Sequence, residues 1–540
     1  GRTTPAPWIN VIANDSFGFH VSATGSGCTW AENSRENRLT PWSNDPVTDP
    51  PSEAFFIRDR DSHQVFSPTA RPLGAAGRHV ARHGFGYSRF QHQAGGLDLD
   101  LVQFVPLTDP AKISCLTIRN LGTTPRRLTV TTYAEPVMGL NRDAAAPFLM
   151  PRKDDDTGAL FVTNPWNVAF PGRVMFADMC GTQDAMTADR TAFLGQNGDL
   201  SAPAAVRAGA PLSGRTGAGL DPCLALERHV DLAPGASLRI THLLGQAASH
   251  DAARDLVQRL RLADPEDLLE QVHQHWRTLL GTVQIRTPDR AMDIMVNGWL
   301  QYQTLACRIQ ARAAFYQASG AFGFRDQLQD GMALTLADPA RVRGHLLRVA
   351  ARQFPQGDVQ HWWLPHSGQG VRTRISDDCV WLAYATLDYV TRSGDRAVLD
   401  EHLPFIEGPA LAADQHDAFF IPDVTDNTAS LYDHCARGLD RAIALTGPLG
   451  MPLIGTGDWN DGMNRVGEKG HGESVWLGWL LLDTLTRIDG IARTRAPDQA
   501  QRWRAHAVAL KAALERAAWD GDWYRRATFD DGTWIGSAMS

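Results

Sequence analysis

The chain has 540 residues, a formal net charge of −8 and a pI near 6.1, with 43% hydrophobic and 21% charged residues. That balance describes a folded globular chain rather than a disordered one, and the acidic charge excludes a nucleic-acid binder, which needs a basic face. The length predicts about three or four domains. No run of about 18 apolar residues occurs, so no membrane segment is expected; the most apolar cluster, WLGWLLL from Trp476 to Leu482, is far too short. The first residues, GRTTPAPW, lack Met, a charged n-region and an apolar h-region, which predicts an excised piece without a signal peptide. Seven cysteines are scattered without a CxxC pair, a pattern that fits reduced thiols and a cytoplasmic location.

Up to about residue 248 the pattern is β. Leu97, Leu99 and Leu101 alternate with Asp98 and Asp100; Leu128, Val130 and Thr132 alternate with Thr129 and Thr131; Leu238, Ile240 and His242 alternate with Arg239 and Thr241. Period-2 alternation predicts half-buried antiparallel strands, and the turn clusters Asn120–Pro125 and Asp231–Ala236 break them as in a β-sandwich. Gly195–Gly219 is expected to be a long surface loop, and the polar stretch Thr29–Arg38 a solvated hairpin or a loop over a cleft. Residues 249–284 carry helical spacing (Ala253, Leu256, Val257, Leu260, then Leu268, Leu269, Val272, Trp276) and predict a helical linker. Thr287-Pro288 looks like a helix start. Residues 285–540 are expected to be mainly helical, with helices near 288–312, 328–352, 374–393, 427–445, 472–490 and 498–518, joined by long loops rich in Gly, Asp, His and Trp. Loops on such a scaffold are where chemistry is sought.

Five loop segments stand out. Gly457-Asp458-Trp459-Asn460-Asp461-Gly462-Met463-Asn464 packs carboxylates, amides and a Trp between glycines. It reads either as a turn or as a general acid beside a sugar-stacking ring. The EF-hand pattern fails, since Lys469 stands where the ligand Glu is needed. Arg325-Asp326, with Asp330 one turn on, leads into a helix and reads as capping or as carboxylates for sugar hydroxyls. Gln360-His361-Trp362-Trp363 offers a polar group and a ring, although a lone His is more often a satisfied polar group. Ser376-Asp377-Asp378 looks like a helix cap, and Gly472-Glu473-Ser474 like a loop entering a helix. GxxxxGK[ST], HExxH, GxSxG and CxxC are all missing, which argues against NTP, metal and serine-hydrolase chemistry.

Taken together, GFRDQLQD (323–330), QHWW (360–363), GDWNDGMN (457–464), GESVWLGW (472–479) and TWAENSRENRLTPWSNDP (29–46) resemble glycoside hydrolase family 94, the inverting phosphorylases, with a lean toward its cyclic β-1,2-glucan synthase branch. The resemblance implies an N-terminal antiparallel β-sandwich, a helical linker and an (α/α)6-type barrel over 285–540 whose C-terminal part is expected to be missing. It implies phosphorolysis of β-glucosides, chiefly β-1,2-linked oligoglucans, with phosphate as co-substrate, no metal and no cofactor. It places the general acid on Asp461, substrate contacts on Asp326, Arg325, Trp459, Asp330, His361, Trp362 and Glu473, and phosphate on Arg312. Family members that cleave cellobiose carry a further donor Arg in a short insertion before the Arg-Asp pair; Gly320-Ala321-Phe322-Gly323 lacks it, which points away from cellobiose. A homodimer is also implied, as is a place within a larger membrane-anchored polypeptide. Two other readings stay open: an inverting hydrolase on the same fold with Glu473 as base, and an inactive sugar-binding module.

Overall fold

A computed structural model of the chain describes residues 4–74, 77–412 and 414–539; the expected domain ends at residues 1 and 540 lie outside them. The chain divides into two compact units, Gly1–Gly320 and Ala321–Ser540.

In the first unit the alternating segments form antiparallel sheets. One has eight strands, ordered Met150–Lys153, Leu160–Thr163, Val174–Asp178, Ser237–Ala247, Ala111–Asn120, Leu97–Phe104, Tyr87–Ala94 and His79–Gly84. A second has five, ordered Ala185–Asp189, Pro222–Leu232, Arg126–Ala134, Glu53–Asp59 and Val65–Phe66. One face of each meets in a shared core. Leu97, Leu99, Leu101, Ile118 and Ile240 come from the first sheet, and Ile57, Leu128, Val130, Leu224 and Leu226 from the second. Asp98 and Asp100 lie on the opposite, partly exposed side, as the period requires. Each fully buried Leu or Ile contributes about 1.5–3 kcal/mol.

The segment after Trp30 departs from the solvated hairpin expected of it. Asn33, Ser34 and Asn37 are fully buried. Asn33 Nδ2 donates to Gly320 O at 3.0 Å, Ser34 Oγ to Arg312 O at 3.2 Å and Asn37 Nδ2 to Gln246 Oε1 at 2.7 Å. Short polar side chains here satisfy backbone groups that would otherwise be buried unpaired. Gly195–Gly219 likewise holds a short helix, Ala204–Ala208.

Helices α1 (His250–Leu262) and α2 (Pro265–Leu280) follow, capped by Ser249 and Asp264. α1 buries Ala253, Leu256, Val257 and Leu260. The next helical run, Arg290–Ala311, contains two stretches of wide π turns. Its cap is Asp289, not Thr287: the Asp289 carboxylate accepts the Ala291 and Met292 N–H groups, while Thr287 Oγ donates to Asp293. Aspartate directly before the first turn outcompetes a Thr two residues earlier for the free N–H groups.

The second unit is helical around α5. Its helices are α3 (Phe324–Leu334), α4 (Pro339–Ala350), α5 (Asp378–Ser393), α6 (Leu431–Ala444), α7 (Val475–Arg495) and α8 (Pro497–Ala513). α5 packs against α3, α4, α6 and α7. Buried residues run all round it, from Val380 and Leu382 to Ala385, Leu387 and Tyr389, as in a helix enclosed by others. The single helix expected over 328–352 is two: Asp338 caps Arg341 N at 3.1 Å and Pro339, which cannot continue a helix, opens the second. The connections are also more ordered than loops. Phe322–Gly323, Gln360–Trp363, Gly370–Thr373 and Asp417–Phe420 form an antiparallel sheet, and His402–Glu407 pairs with Asp423–Ser430. Residues 427–430, expected as helix, belong to that second, two-stranded sheet, and Ser430 caps α6. No helix among the described residues is long and apolar enough to cross a membrane.

Candidate active site

The Gly457–Asn464 loop is pinned at one residue and open at another. Asp458 is fully buried; it accepts from Ser474 Oγ at 2.6 Å, Arg526 Nη2 at 2.6 Å and Asn460 N at 3.1 Å. Burial opposes its charge, but Arg526, Ser474 and the Asn460 N–H outweigh it and hold the carboxyl below its ordinary range. Gly457, at φ 135°, makes the turn that a side chain would strain. Asn460 Oδ1 then accepts from Gly462 N at 3.0 Å and closes a single helical turn that presents Asp461. The Asp461 side chain is 59% exposed. The turn and acid readings of this segment therefore coexist: the turn residues are what aim the carboxylate.

Arg325 holds that carboxylate from below. It sits in the first turn of α3 and its side chain is only 5% exposed. Its guanidinium contacts Asp461, donates to Asp377 Oδ1 at 2.9 Å and to Asp458 O at 2.8 Å. Burial disfavours its charge, yet Asp377, Asp378 and Asp461 together raise its pKa above the ordinary value. Asp377 does not cap α5 as its position suggests. Its side chain makes no cap bond and instead takes Arg325 and the Trp381 indole N–H, at 2.8 Å. Burial and the adjacent Asp378 push the Asp377 carboxyl upward, with Arg325 and Trp381 opposing.

Asp326 follows on α3, 52% exposed, with Oδ1 3.8 Å from Arg325 Nε. A side chain at Gly323 would meet Asp326 Oδ2 at 3.0 Å, so glycine leaves room for this carboxylate to lie over the helix start. There the helix dipole favours it. Gln327 reaches back to accept the Gly323 N–H at 2.6 Å. Asp330 is half-buried one turn on.

His361 lies at a β-bulge: Gln360 pairs with Arg372 and Trp362 with Val371, leaving His361 as the extra residue. Its Nδ1 is 2.7 Å from Asp378 Oδ2 and its Nε2 is 3.9 Å from Asp461 Oδ2. Burial lowers the imidazole pKa, but Asp378 overcomes this and the net shift is upward, favouring the cation. Trp459 is half-exposed and its indole N–H donates to Gln329 Oε1 at 3.2 Å. Trp476 stands between it and Trp381, with ring centroids 6.4 and 6.5 Å away. Trp362 packs near Phe419, with centroids 5.3 Å apart.

The structure thus gathers Asp461, Arg325, Asp326 and His361, with Trp459 on the same loop as the acid. It does not bring Glu473 to them. Glu473 is 1% exposed and its two oxygens accept from Leu449 N at 2.9 Å and Met451 N at 2.8 Å. Glu473→Gln is expected to cost about 1–3 kcal/mol in urea unfolding, by setting an amide NH2 against a backbone N–H, and to leave kcat unchanged. A drop of about 100-fold would instead mark a catalytic base. Arg312 lies in the first unit at φ 49°, with its guanidinium on the carbonyls of Gly320, Ile309, Gln310 and Glu32. Asp377, Asp378, Gln329 and Arg526 were not singled out as site residues from the sequence; the two aspartates carried a signal that capping also explains.

Comparison with known proteins assigns the architecture. The model described as "Glycosyl hydrolase 94, supersandwich domain" matches residues 1–263, and that of the "Glycosyl hydrolase 94 superfamily, catalytic domain" matches 275–540. The chain is 49% identical over its whole length to the cyclic beta-(1,2)-glucan synthase NdvB of Rhizobium meliloti (strain 1021), of which it spans 19%. It is 27% identical to the N,N'-diacetylchitobiose phosphorylase of Vibrio furnissii, matching 99% of this chain and 68% of that one, and 26% identical to the solabiose phosphorylase of Paenibacillus borealis (99% and 67%). A bacterial glucoamylase crystallised with acarbose shares the fold at 10% identity, with a TM-score of 0.62 over 97% of this chain and 72% of that one. Sheet-rich sandwich, then helical catalytic domain of the (α/α)6 type, is therefore the order of the fold. Both of its parts place the chain in the glycosyl hydrolase 94 family.

Proposed function

We propose that the chain carries an inverting glycoside phosphorylase centre acting on β-1,2-linked oligoglucosides, with Asp461 as general acid and inorganic phosphate as nucleophile. Asp461 protonates the leaving glycosidic oxygen while phosphate attacks C1 from the opposite face, giving an α-sugar 1-phosphate. Trp459 offers its half-exposed ring to a sugar face and Asp326 accepts sugar hydroxyls. Asp330 and Trp362 extend that subsite. The relatives named as phosphorylases favour this chemistry, and the identity to a β-1,2-glucan synthase favours the linkage.

The observation that carries the reading is the setting of Asp461. It is an exposed carboxylate on a rigid turn, whereas Glu473, the base a hydrolytic route was expected to use, spends both oxygens on buried backbone N–H groups. An inverting hydrolase needs a second carboxylate free to activate water; a phosphorylase does not, because phosphate is already an anionic nucleophile. A panel of β-1,2-, β-1,3- and β-1,4-linked glucose oligomers with phosphate tests the substrate. Glucose 1-phosphate is expected from the β-1,2 series at least about tenfold faster than from the others, a preference worth about 1.4 kcal/mol of transition-state binding. Equal rates across linkages, or a preference for another, overturn the assignment.

A further inference from the structure

Asp461 has to give a proton, and a guanidinium and an imidazole stand beside it. Arg325 contacts it, and His361 Nε2 stands 3.9 Å from Oδ2. Arg325 carries only donors and stays charged, so of these two neighbours only the imidazole can hand Asp461 a proton. We infer that His361 stores the proton and passes it through Asp461 to the leaving oxygen, with Asp378 fixing the imidazole for that transfer. The inference rests on the reading of Asp461 as the general acid, and it makes His361 and Asp378 positioning residues of the reaction.

Asp378 and Asp461 flank the His361 imidazole, one at each ring nitrogen. Asp378 stands in the first turn of α5 with its side chain 3% exposed, and takes the Nδ1–H of His361 at 2.7 Å. That bond sets the tautomer, so Nε2 is the nitrogen left to face Asp461. The bulge at His361 aims the ring out of the regular pleat, which an unbroken strand would not do. The charged groups acting on the imidazole are Asp378, Asp461 and Arg325; the two carboxylates support its charge and Arg325 opposes it. Asp377, one residue before Asp378, is occupied by Arg325 and Trp381.

The step balances. The C1–O bond breaks and its electron pair stays on the leaving oxygen, which takes the Asp461 proton. Asp461 is reprotonated by the Nε2 proton of His361 through a water bridging the 3.9 Å between them, leaving a neutral imidazole. A lone pair of hydrogen phosphate dianion forms the new C1–O bond, giving a sugar phosphate monoanion. Its remaining P–OH ionises with a pKa near 6, and the proton released to solvent recharges His361. No oxidant or further reactant is needed.

The test compares kcat against pH for the parent chain, His361→Gln and Asp378→Asn. Each is assayed on an unactivated oligoglucoside and on an aryl β-glucoside whose acidic phenol leaves without protonation. In the parent, kcat on the unactivated substrate is expected to fall only above the ordinary histidine pKa of about 6.5. Asp378→Asn moves that limb down by about one pH unit. His361→Gln removes the limb and lowers kcat about 100-fold with KM unchanged, while the aryl glycoside retains its rate. A His361→Gln enzyme with the parental limb and kcat overturns the relay. Where a variant does not fold, NMR titration of the His361 imidazole in the parent decides. It must titrate at the midpoint of the rate limb, and a ring already neutral across the active range overturns the inference. A failure of the acid reading shows separately, as turnover of the unactivated substrate by Asp461→Asn.

Discussion

Asp461→Asn is expected to lower kcat on β-1,2-linked oligoglucosides by about 10²–10⁴-fold, the range that a positioned proton donor supplies, while sugar binding persists. The reason is local. The Asp461 side chain is 59% exposed and stands on a turn closed by Asn460 and pinned by Asp458, so an amide of the same shape fits without disturbing the loop. Arg325 keeps its other two partners, the Asp377 carboxylate and the Asp458 carbonyl, so the buried side of the network stays paired. The variant loses the transferable proton and the carboxylate charge that faces Arg325 and His361. Steady-state kinetics together with calorimetry of sugar binding check this: kcat falls and the dissociation constant holds. Equal loss of both would mean that Asp461 binds the sugar and does not donate to it.

Arg325→Ala is expected to be the most destabilising single change in the site. It would leave Asp377, 0% exposed, without its cation, and free the Asp458 carbonyl beneath the acid loop. Removing one partner of a buried ion pair costs about 3–5 kcal/mol, and because burial and Asp378 already push the Asp377 carboxyl upward, part of that loss appears as proton uptake by Asp377. Arg325→Lys should recover part of this, since an ammonium cannot fork to Asp377, Asp461 and a carbonyl at once. Urea unfolding of Arg325→Ala, Asp377→Asn and the double variant isolates the pair. The double should be less destabilised than the sum of the singles, because the neutral amide no longer needs the cation. Strict additivity would show that the Arg325–Asp377 contact carries no coupling energy.

Much of this was legible in the chain. Leu97, Leu99 and Leu101 announced a strand with one buried face because a strand's side chains alternate by geometry, and the structure buries those three and no neighbouring Asp. The pieces of the site that share a short motif were legible too: Arg325 with Asp326, Trp459 with Asp461, and His361 in its polar-aromatic segment, read as a loop where the structure has a strand. What could not be read were the partners that folding supplies from far along the chain. Asp377 sits where a capping residue belongs, and nothing local tells that its carboxylate turns to Arg325, fifty-two positions away. Asp458 is indistinguishable in composition from Asp461, yet Arg526 and Ser474 bury one as an anchor and leave the other to face solvent. Glu473 carried the opposite ambiguity. A carboxylate at a helix entrance suits a substrate subsite or a structural tie, and the N–H groups of Leu449 and Met451 make it the tie. Gln360–Trp363 and Gly370–Thr373 escaped notice as strands because segments of four residues are too brief for a period to register.

Proton NMR of the products from a β-1,2-linked glucose oligomer, run with and without inorganic phosphate, tests the central claim most directly. Phosphorolysis with inversion predicts an α-configured sugar 1-phosphate that accumulates only when phosphate is present, and an unchanged substrate when it is left out. Release of free sugar at the same rate without phosphate would contradict it and make water the nucleophile.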